Sequence, residues 1–227
     1  MMRQLPLHLE HRQLLGREDF LVSASNIEAV EWIDSYPEWF DLPGVLVVGA
    51  KASGKTHVLW LFGEKSGAKI YNAAELAAEA FSDIVPEHSA LAVDDIDAVA
   101  RNAAGEESLL HVVNYAGEVG TKLFMTASAP VAGIGFASAD LKTRLLQMPV
   151  ANIYTPDDDL LKALIVKQFM ERGISVSANV VEWLSGVVPR NASCINELVE
   201  VADMAASEER RNITIPFLKK IIDKIEE

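Results

Sequence analysis

The sequence predicts an α/β fold: a parallel five-stranded sheet sandwiched by helices, followed by a small all-helical unit. Three observations predict it. Gly49-Ala50-Lys51-Ala52-Ser53-Gly54-Lys55-Thr56 is a complete phosphate-binding loop, G-x-x-x-x-G-K-T. From Gly44 onward, short apolar runs alternate with helical segments, the pattern of a mostly parallel sheet covered on both faces. After Thr155-Pro156 no strand pattern recurs.

Taken in order, residues 1 to about 16 read as a tail, because Pro6 and the short length argue against a stable element. Ile27, Val30 and Ile33 fall at helical spacing, with Ser25 or Asn26 as the expected N-cap. Pro37 and Pro43 bracket a loop. Gly44 to Val48 is an apolar, β-branched run that suits a buried strand, and His57 to Phe62 continues the loop as a helix. Ala68 to Tyr71, Ser89 to Val93, Lys122 to Thr126 and Ala151 to Tyr154 are the further strands. Ala73 to Phe81, Glu106 to Glu118 and Asp140 to Leu146 are the helices between them. Beyond Pro156, Asp157-Asp158-Asp159 cap a helix that runs through Phe169 and ends near Gly173. Further helices are expected over Ser177 to Leu184, Ala192 to Ala206 and Ile215 to Ile225.

The loop's chemistry follows from its residue types. Glycines let successive N–H groups turn inward on a phosphate, and the helix start behind them adds partial positive charge. Lys55 supplies a full charge for the β- and γ-phosphates, and the Thr56 hydroxyl suits Mg²⁺. Leu91-Ala92-Val93 ends in Asp94-Asp95. The first acid is placed to hold the Mg²⁺ water shell beside Thr56, the second to orient a water toward the γ-phosphate. Asp95 is one methylene shorter than Glu, on the order of 1.5 Å less reach, and a misplacement of that size can cost a hundredfold in rate. Weak intrinsic ATP hydrolysis at most is therefore expected. At the end of the fourth strand, Thr126 or Ser128 is placed to sense the γ-phosphate. Arg144 is either a surface arginine or one offered to a nucleotide on a neighbouring subunit.

Composition excludes several classes. A chain of 227 residues, half of them hydrophobic, holds one α/β domain plus a small appendage. The net charge of −13 argues against strong direct DNA binding, which relies on clustered Lys and Arg. The single cysteine, Cys194, rules out an internal disulfide and fits a reducing compartment. No run reaches the length of a membrane span, and Met1-Met2-Arg3-Gln4 lacks the apolar core of a signal peptide. A cytoplasmic location without membrane attachment is expected.

These residues resemble AAA+ ATPases of the DnaA/Hda group. Gly54-Lys55-Thr56-His57 matches a run characteristic of that group, and the doubled Asp94-Asp95 suits it. Initiators of the group carry a DNA-binding domain after the helical lid, and no residues are left for one, which resembles the Hda branch. Gln4-Leu5-Pro6-Leu7-His8-Leu9 resembles that branch's sliding-clamp motif, with Gln4, Leu5, Leu7 and Leu9 as contacts, and Ile213 to Ile222 resembles its C-terminal segment. The resemblance implies three parts: a clamp-binding tail over 1–16, an AAA+ nucleotide-binding domain over 17–155 and a lid over 156–227.

For the site, the resemblance implies that ADP or ATP with Mg²⁺ is held by Gly49, Ala52, Ser53, Gly54, Lys55, Thr56 and His57. Phe20, Val22 and Asn26 lie in the adenine-contacting stretch. Thr56 and Asp94 are the metal residues; Asp95, Ser128 and Arg144 carry the catalytic roles, Arg144 as an in-trans finger. The family's first sensor often holds Asp where this chain has Ser128. Its second sensor usually places Arg where this chain has Ser193, with Arg190 the nearest cation.

The implied function is regulation of replication initiation. The protein binds the sliding clamp, the beta subunit of DNA polymerase, and so associates with the nucleoid; it also promotes ATP hydrolysis by the ATP-bound initiator DnaA. A homo-oligomer is also allowed. The alternative is a stand-alone AAA+ ATPase, a helicase or clamp loader-type remodelling factor. The charge, Asp95 and the missing sensor arginine all speak against it. A small-molecule kinase is a third class, disfavoured by 20 basic residues against 33 acidic ones.

Overall fold

The computed structural model describes residues 20–39, 41–78, 84–85, 89–209 and 211–226. Five strands, β1 (Gly44–Gly49), β2 (Lys69–Asn72), β3 (Ala90–Asp94), β4 (Lys122–Ala127) and β5 (Val150–Ile153), form one sheet in the order β2-β3-β4-β1-β5. All neighbours run parallel. The fold is the expected five-stranded parallel α/β sheet followed by helices.

Alternation along each strand divides the core into two layers, since successive side chains leave opposite faces. Leu46, Val48, Leu91, Val93, Leu123 and Met125 point to one face, under helices α3 (Ala103–Val119) and α4 (Ala139–Leu146). Val45, Val47, Ala90, Ala92, Phe124 and Ile153 point to the other, under α1 (Ile27–Asp34) and α2 (Lys55–Ser66). Both faces are apolar, so β1 is buried along its whole length, as an interior parallel strand requires. On the second face Phe62 stacks on Phe124 at 4.5 Å and Trp39 on Phe62 at 5.3 Å. Each such ring contributes about 2–3 kcal/mol by leaving water. The Trp39 indole N–H is satisfied by the Trp32 carbonyl at 3.0 Å.

The outer edge of β5 is closed by the start of α1. Asn152 N–H donates to Glu28 Oε2 at 2.8 Å, and Tyr154 N–H donates to the Ser25 carbonyl at 2.8 Å. These bonds occupy donors that an open edge strand would leave free.

Four helices follow: α5 (Asp158–Glu171), α6 (Ala178–Val187), α7 (Ala192–Glu209) and α8 (Ile215–Glu226). They enclose a third core around Leu161, Ile165, Phe169, Leu184, Val199 and Leu218. Asp157 caps α5 by accepting the Leu160 N–H at 2.8 Å, and Gly173, with φ of +71°, ends it. Among the described residues no helix is long and apolar enough to cross a membrane.

Three local expectations change. Ala73–Ala78 is a 3-10 helix rather than the start of an α-helix to Phe81, and residues 79–83 lie outside the described ones. Ala73 and Leu76, both buried, are three apart, so three residues per turn stacks them on one face. Asn26 is the N-cap of α1, but its side chain turns backward. Its Oδ1 accepts Ser23 N–H and its Nδ2 donates to the Leu21 carbonyl, each at 2.9 Å. Helix α3 begins at Ala103, three residues before Glu106, because Asn102 caps it through Gly105 N–H.

Candidate nucleotide site

The site is built where β1 passes through Ala50–Gly54 into α2. Gly54 takes φ of +102° and Ala52 takes +62°, so two left-handed residues fold the loop into a concave nest of main-chain N–H groups. At Gly54 only glycine adopts that angle without strain. Ala52 is strained there by roughly 1–2 kcal/mol, the cost of a Cβ in left-handed backbone. Gly49 is required for another reason: a Cβ there would sit 2.6 Å from both the Ile153 carbonyl oxygen and Ser53 Oγ. Lys55 Nζ donates to the Gly49 and Ala50 carbonyls at 2.8 and 2.9 Å, which holds the ammonium at the loop.

Two features test whether the loop suits a phosphate and a divalent ion. Ser53 Oγ is buried without a hydrogen-bond partner among the described residues, a donor available to a phosphate oxygen. Thr56 Oγ1 lies 2.9 Å from Asp94 Oδ2, a hydroxyl and a carboxylate on one spot, which is the hard-oxygen chemistry Mg²⁺ takes. Both features fit the groups.

The strand-end acids sit in a network. Asp94 takes Thr56 on one oxygen and the buried Thr126 hydroxyl on the other. Thr126 Oγ1 also accepts the Asp95 N–H at 2.9 Å, so this hydroxyl joins β4 to β3 and is spent there. Of the two residues considered for γ-phosphate sensing, Ser128 is the exposed one, but its N–H donates to Asp97 Oδ1 at 2.7 Å and its hydroxyl to Asp97 Oδ2. Asp95 stands in left-handed backbone, φ +56°, beside Asp97.

Partial burial pushes the Asp95 carboxyl above the ordinary carboxylate range. The hydrogen bond with Asp97 and the charges of Asp97 and Asp94 push the same way, against the pull of Lys55. Desolvation alone would raise Asp97 as well. Instead the Ser128 hydroxyl and N–H, the Asp95 carboxyl and Asp97's own N–H hold it below that range.

The remaining expected residues fall at several places. The Phe20 ring meets His57 edge-on at 4.9 Å, joining the stretch before α1 to the phosphate loop. Val22 is exposed and Asn26 is buried. Arg144 is exposed in the last turn of α4. Among the described residues it has no hydrogen-bond or ion-pair partner. Arg190 donates to the Pro156 carbonyl at 3.2 Å and to Asp158, so it is engaged at the start of α5. The tail residues Gln4, Leu5, Leu7 and Leu9 and the Ser193 side chain lie outside the described residues.

Asp97 and Glu106 are missed by the sequence reading. Glu106 could have been noticed, because it shares a helix face with Leu109 and Val113 and is an acid among apolar neighbours.

A parallel sheet of this order, a phosphate loop after β1 between β4 and β5, and an acid pair ending β3 make up the AAA+ P-loop fold. Comparisons with known proteins narrow this. The family model described as "Hda, lid domain" matches residues 157–222. An uncharacterized protein of Haemophilus influenzae is 24% identical over 232 residues, covering 98% of this chain and 100% of that protein. The chromosomal replication initiator protein DnaA of Borreliella afzelii is 26% identical over 198 residues, covering 79% of this chain. The chain spans 41% of that initiator's length. Domain III of the Thermotoga maritima replication initiation protein DnaA superposes with a TM-score of 0.81 at 14% identity, over 92% of this chain and 96% of that one. AMPPCP-bound DnaA from Aquifex aeolicus superposes at 0.70, with 15% identity, over 85% of this chain and 68% of that one. The chain thus shares its fold with DnaA domain III, and its helical C-terminal part matches the Hda lid model.

Proposed function

We propose that this protein is an Hda-like regulator of replication initiation. It binds ADP or ATP with Mg²⁺ in its own loop, is tethered to the sliding clamp by its tail, and offers Arg144 to the ATP held by an initiator DnaA. Bound nucleotide supplies the phosphates that the Ala50–Gly54 N–H groups, Ser53 and Lys55 would hold. Mg²⁺ would be held by Thr56 and Asp94. The neighbours that carry AMPPCP support a nucleotide here, and the Hda-type lid supports the regulatory branch.

The observation that carries the reading is an asymmetry between acid and arginine. Asp95, the acid beside the chain's own γ-phosphate position, stands in left-handed backbone, with partial burial and the neighbouring Asp97 and Asp94 pushing its carboxyl above the ordinary range. One methylene shorter than Glu, it reaches a water in line with the γ-phosphate less well, which supports slow hydrolysis in cis. Arg144, the group that would stabilise transition-state charge, is exposed and unpartnered among the described residues. Such an arginine supplied in trans is worth about 10³–10⁵ in rate.

The test is reconstitution with ATP-loaded initiator and DNA-loaded clamp. Arg144→Ala should abolish stimulation of the initiator's ATPase and leave ADP affinity within about twofold, because a finger acts only on the transition state. Full stimulation by that variant rejects the finger. In the same assay, replacing Gln4 and Leu9 by alanine should remove the dependence on the clamp; retained dependence rejects the tether.

A further inference from the structure

The first turn of α3 buries an acid that the nucleotide chemistry does not use. Glu106 is 2% exposed. Its Oε1 accepts the Arg101 N–H at 2.7 Å and the Ala137 N–H at 3.0 Å, and its Oε2 accepts the Ser138 N–H at 2.7 Å. A carboxylate is tolerated in an apolar layer only when its oxygens are satisfied in this way.

The three donors come from two segments. Arg101, with φ of +65°, closes the turn that leaves Asp95 through Ile96–Val99. Ala137 and Ser138 lead into α4, where Ser138 is the N-cap and accepts the Leu141 N–H at 3.3 Å. Helix α4 has eight residues, too few to hold a direction by helix propensity alone. Beneath it Leu141 and Leu145 are sunk in the core, and at its entry Glu106 holds the Ser138 N–H. Arg144 stands between those two leucines in the chain, on the exposed flank of the helix.

We propose that Glu106 is a positioning residue that fixes the entry of α4 and with it the aim of Arg144. The second half of this statement rests on the in-trans reading of Arg144. The Glu106→Gln side chain has nearly the same size but presents an amide N–H₂, which cannot accept a main-chain N–H, so at least one of the three bonds is lost.

Amide hydrogen exchange on the full chain tests the anchoring. In the unmodified protein the Arg101, Ala137 and Ser138 amides, which lie outside helices and strands, should exchange at least about tenfold more slowly than open loop amides. In Glu106→Gln, exchange through residues 137–144 should rise about tenfold or more, while α2 and α5–α8 stay within about twofold. Fast exchange at Ala137 and Ser138 in the unmodified protein overturns the proposal, even if the variant fails to fold. So does unchanged exchange in a folded variant.

The reconstituted ATPase tests the aim. Glu106→Gln should lower maximal stimulation about tenfold or more with the half-saturating concentration within about twofold, the split expected of a misaimed group. Adding Arg144→Ala should cost nothing beyond Arg144→Ala alone. Full stimulation by Glu106→Gln beside a dead Arg144→Ala overturns the positioning role. If Arg144→Ala itself stimulates fully, the in-trans reading falls, and the exchange data alone decide whether Glu106 anchors α4.

Discussion

Lys55 and Arg144 are cations of one domain under opposite constraints. The Lys55 ammonium is gripped by two carbonyls of its own loop. The Arg144 guanidinium projects from the last turn of a short helix with no partner among the described residues. A cation that serves a ligand in its own chain is preorganised by local backbone. A cation meant for another molecule has to be aimed by the fold beneath it, because nothing local holds its tip.

The largest expected effect separates the two. Lys55→Ala should weaken calorimetric ADP binding about a hundredfold, while Arg144→Ala leaves it unchanged, since a hydrogen bond to a charged group is worth about 1.5–3 kcal/mol. Equal losses in both variants would erase the contrast.

A smaller effect concerns the support beneath Arg144. Three main-chain N–H groups hold the Glu106 carboxyl below its ordinary range even though burial pushes it up. A lowered folded-state pKa means that the unfolded chain binds more protons on acidification. The Glu106 contribution is therefore full above the unfolded value near pH 4.3 and is lost as pH falls through the folded value. Thermal unfolding between about pH 6 and pH 3 should show a shallower acid loss in Glu106→Gln than in the parent protein. Parallel profiles would show that the carboxylate is not what anchors the helix.

The smallest effect is in the loop. Ala52→Gly removes the left-handed strain and should raise stability by up to about 1 kcal/mol, offset in part by the freedom glycine has in the unfolded chain. A clear fall in melting temperature would mean that the Ala52 methyl group makes a contact that matters more than its backbone angle.

How much was legible follows the same contrast. The phosphate loop is contiguous, and its neighbours switch from strand to helix period, so Gly49–Thr56 and the five strands can be read directly from residue order. Asp94 and Asp95 can be read because they end an apolar run. Asp97 and Glu106 are less legible, since several of their partners lie about thirty residues away and include main-chain N–H groups, which carry no side-chain signature. Thr126 reads as a sensor candidate, yet it joins Asp94 to Asp95, because the hydroxyl's neighbours depend on strand register rather than on sequence order. The Ala73 segment misleads for a related reason: alanine favours a helix, but a spacing of three between Ala73 and Leu76 suits an α-helix and a 3-10 helix alike.

The seal along β5 has a mechanical side. Leu21 and Ser23 are tied to Asn26, and the Ser25 carbonyl and Glu28 carboxylate are bonded to Tyr154 and Asn152. A tug on the polypeptide upstream of Phe20 would be taken up by the strand next to β1 instead of peeling α1 away. The stretch from Phe20 into α1 and the β5 edge would then move together as one piece.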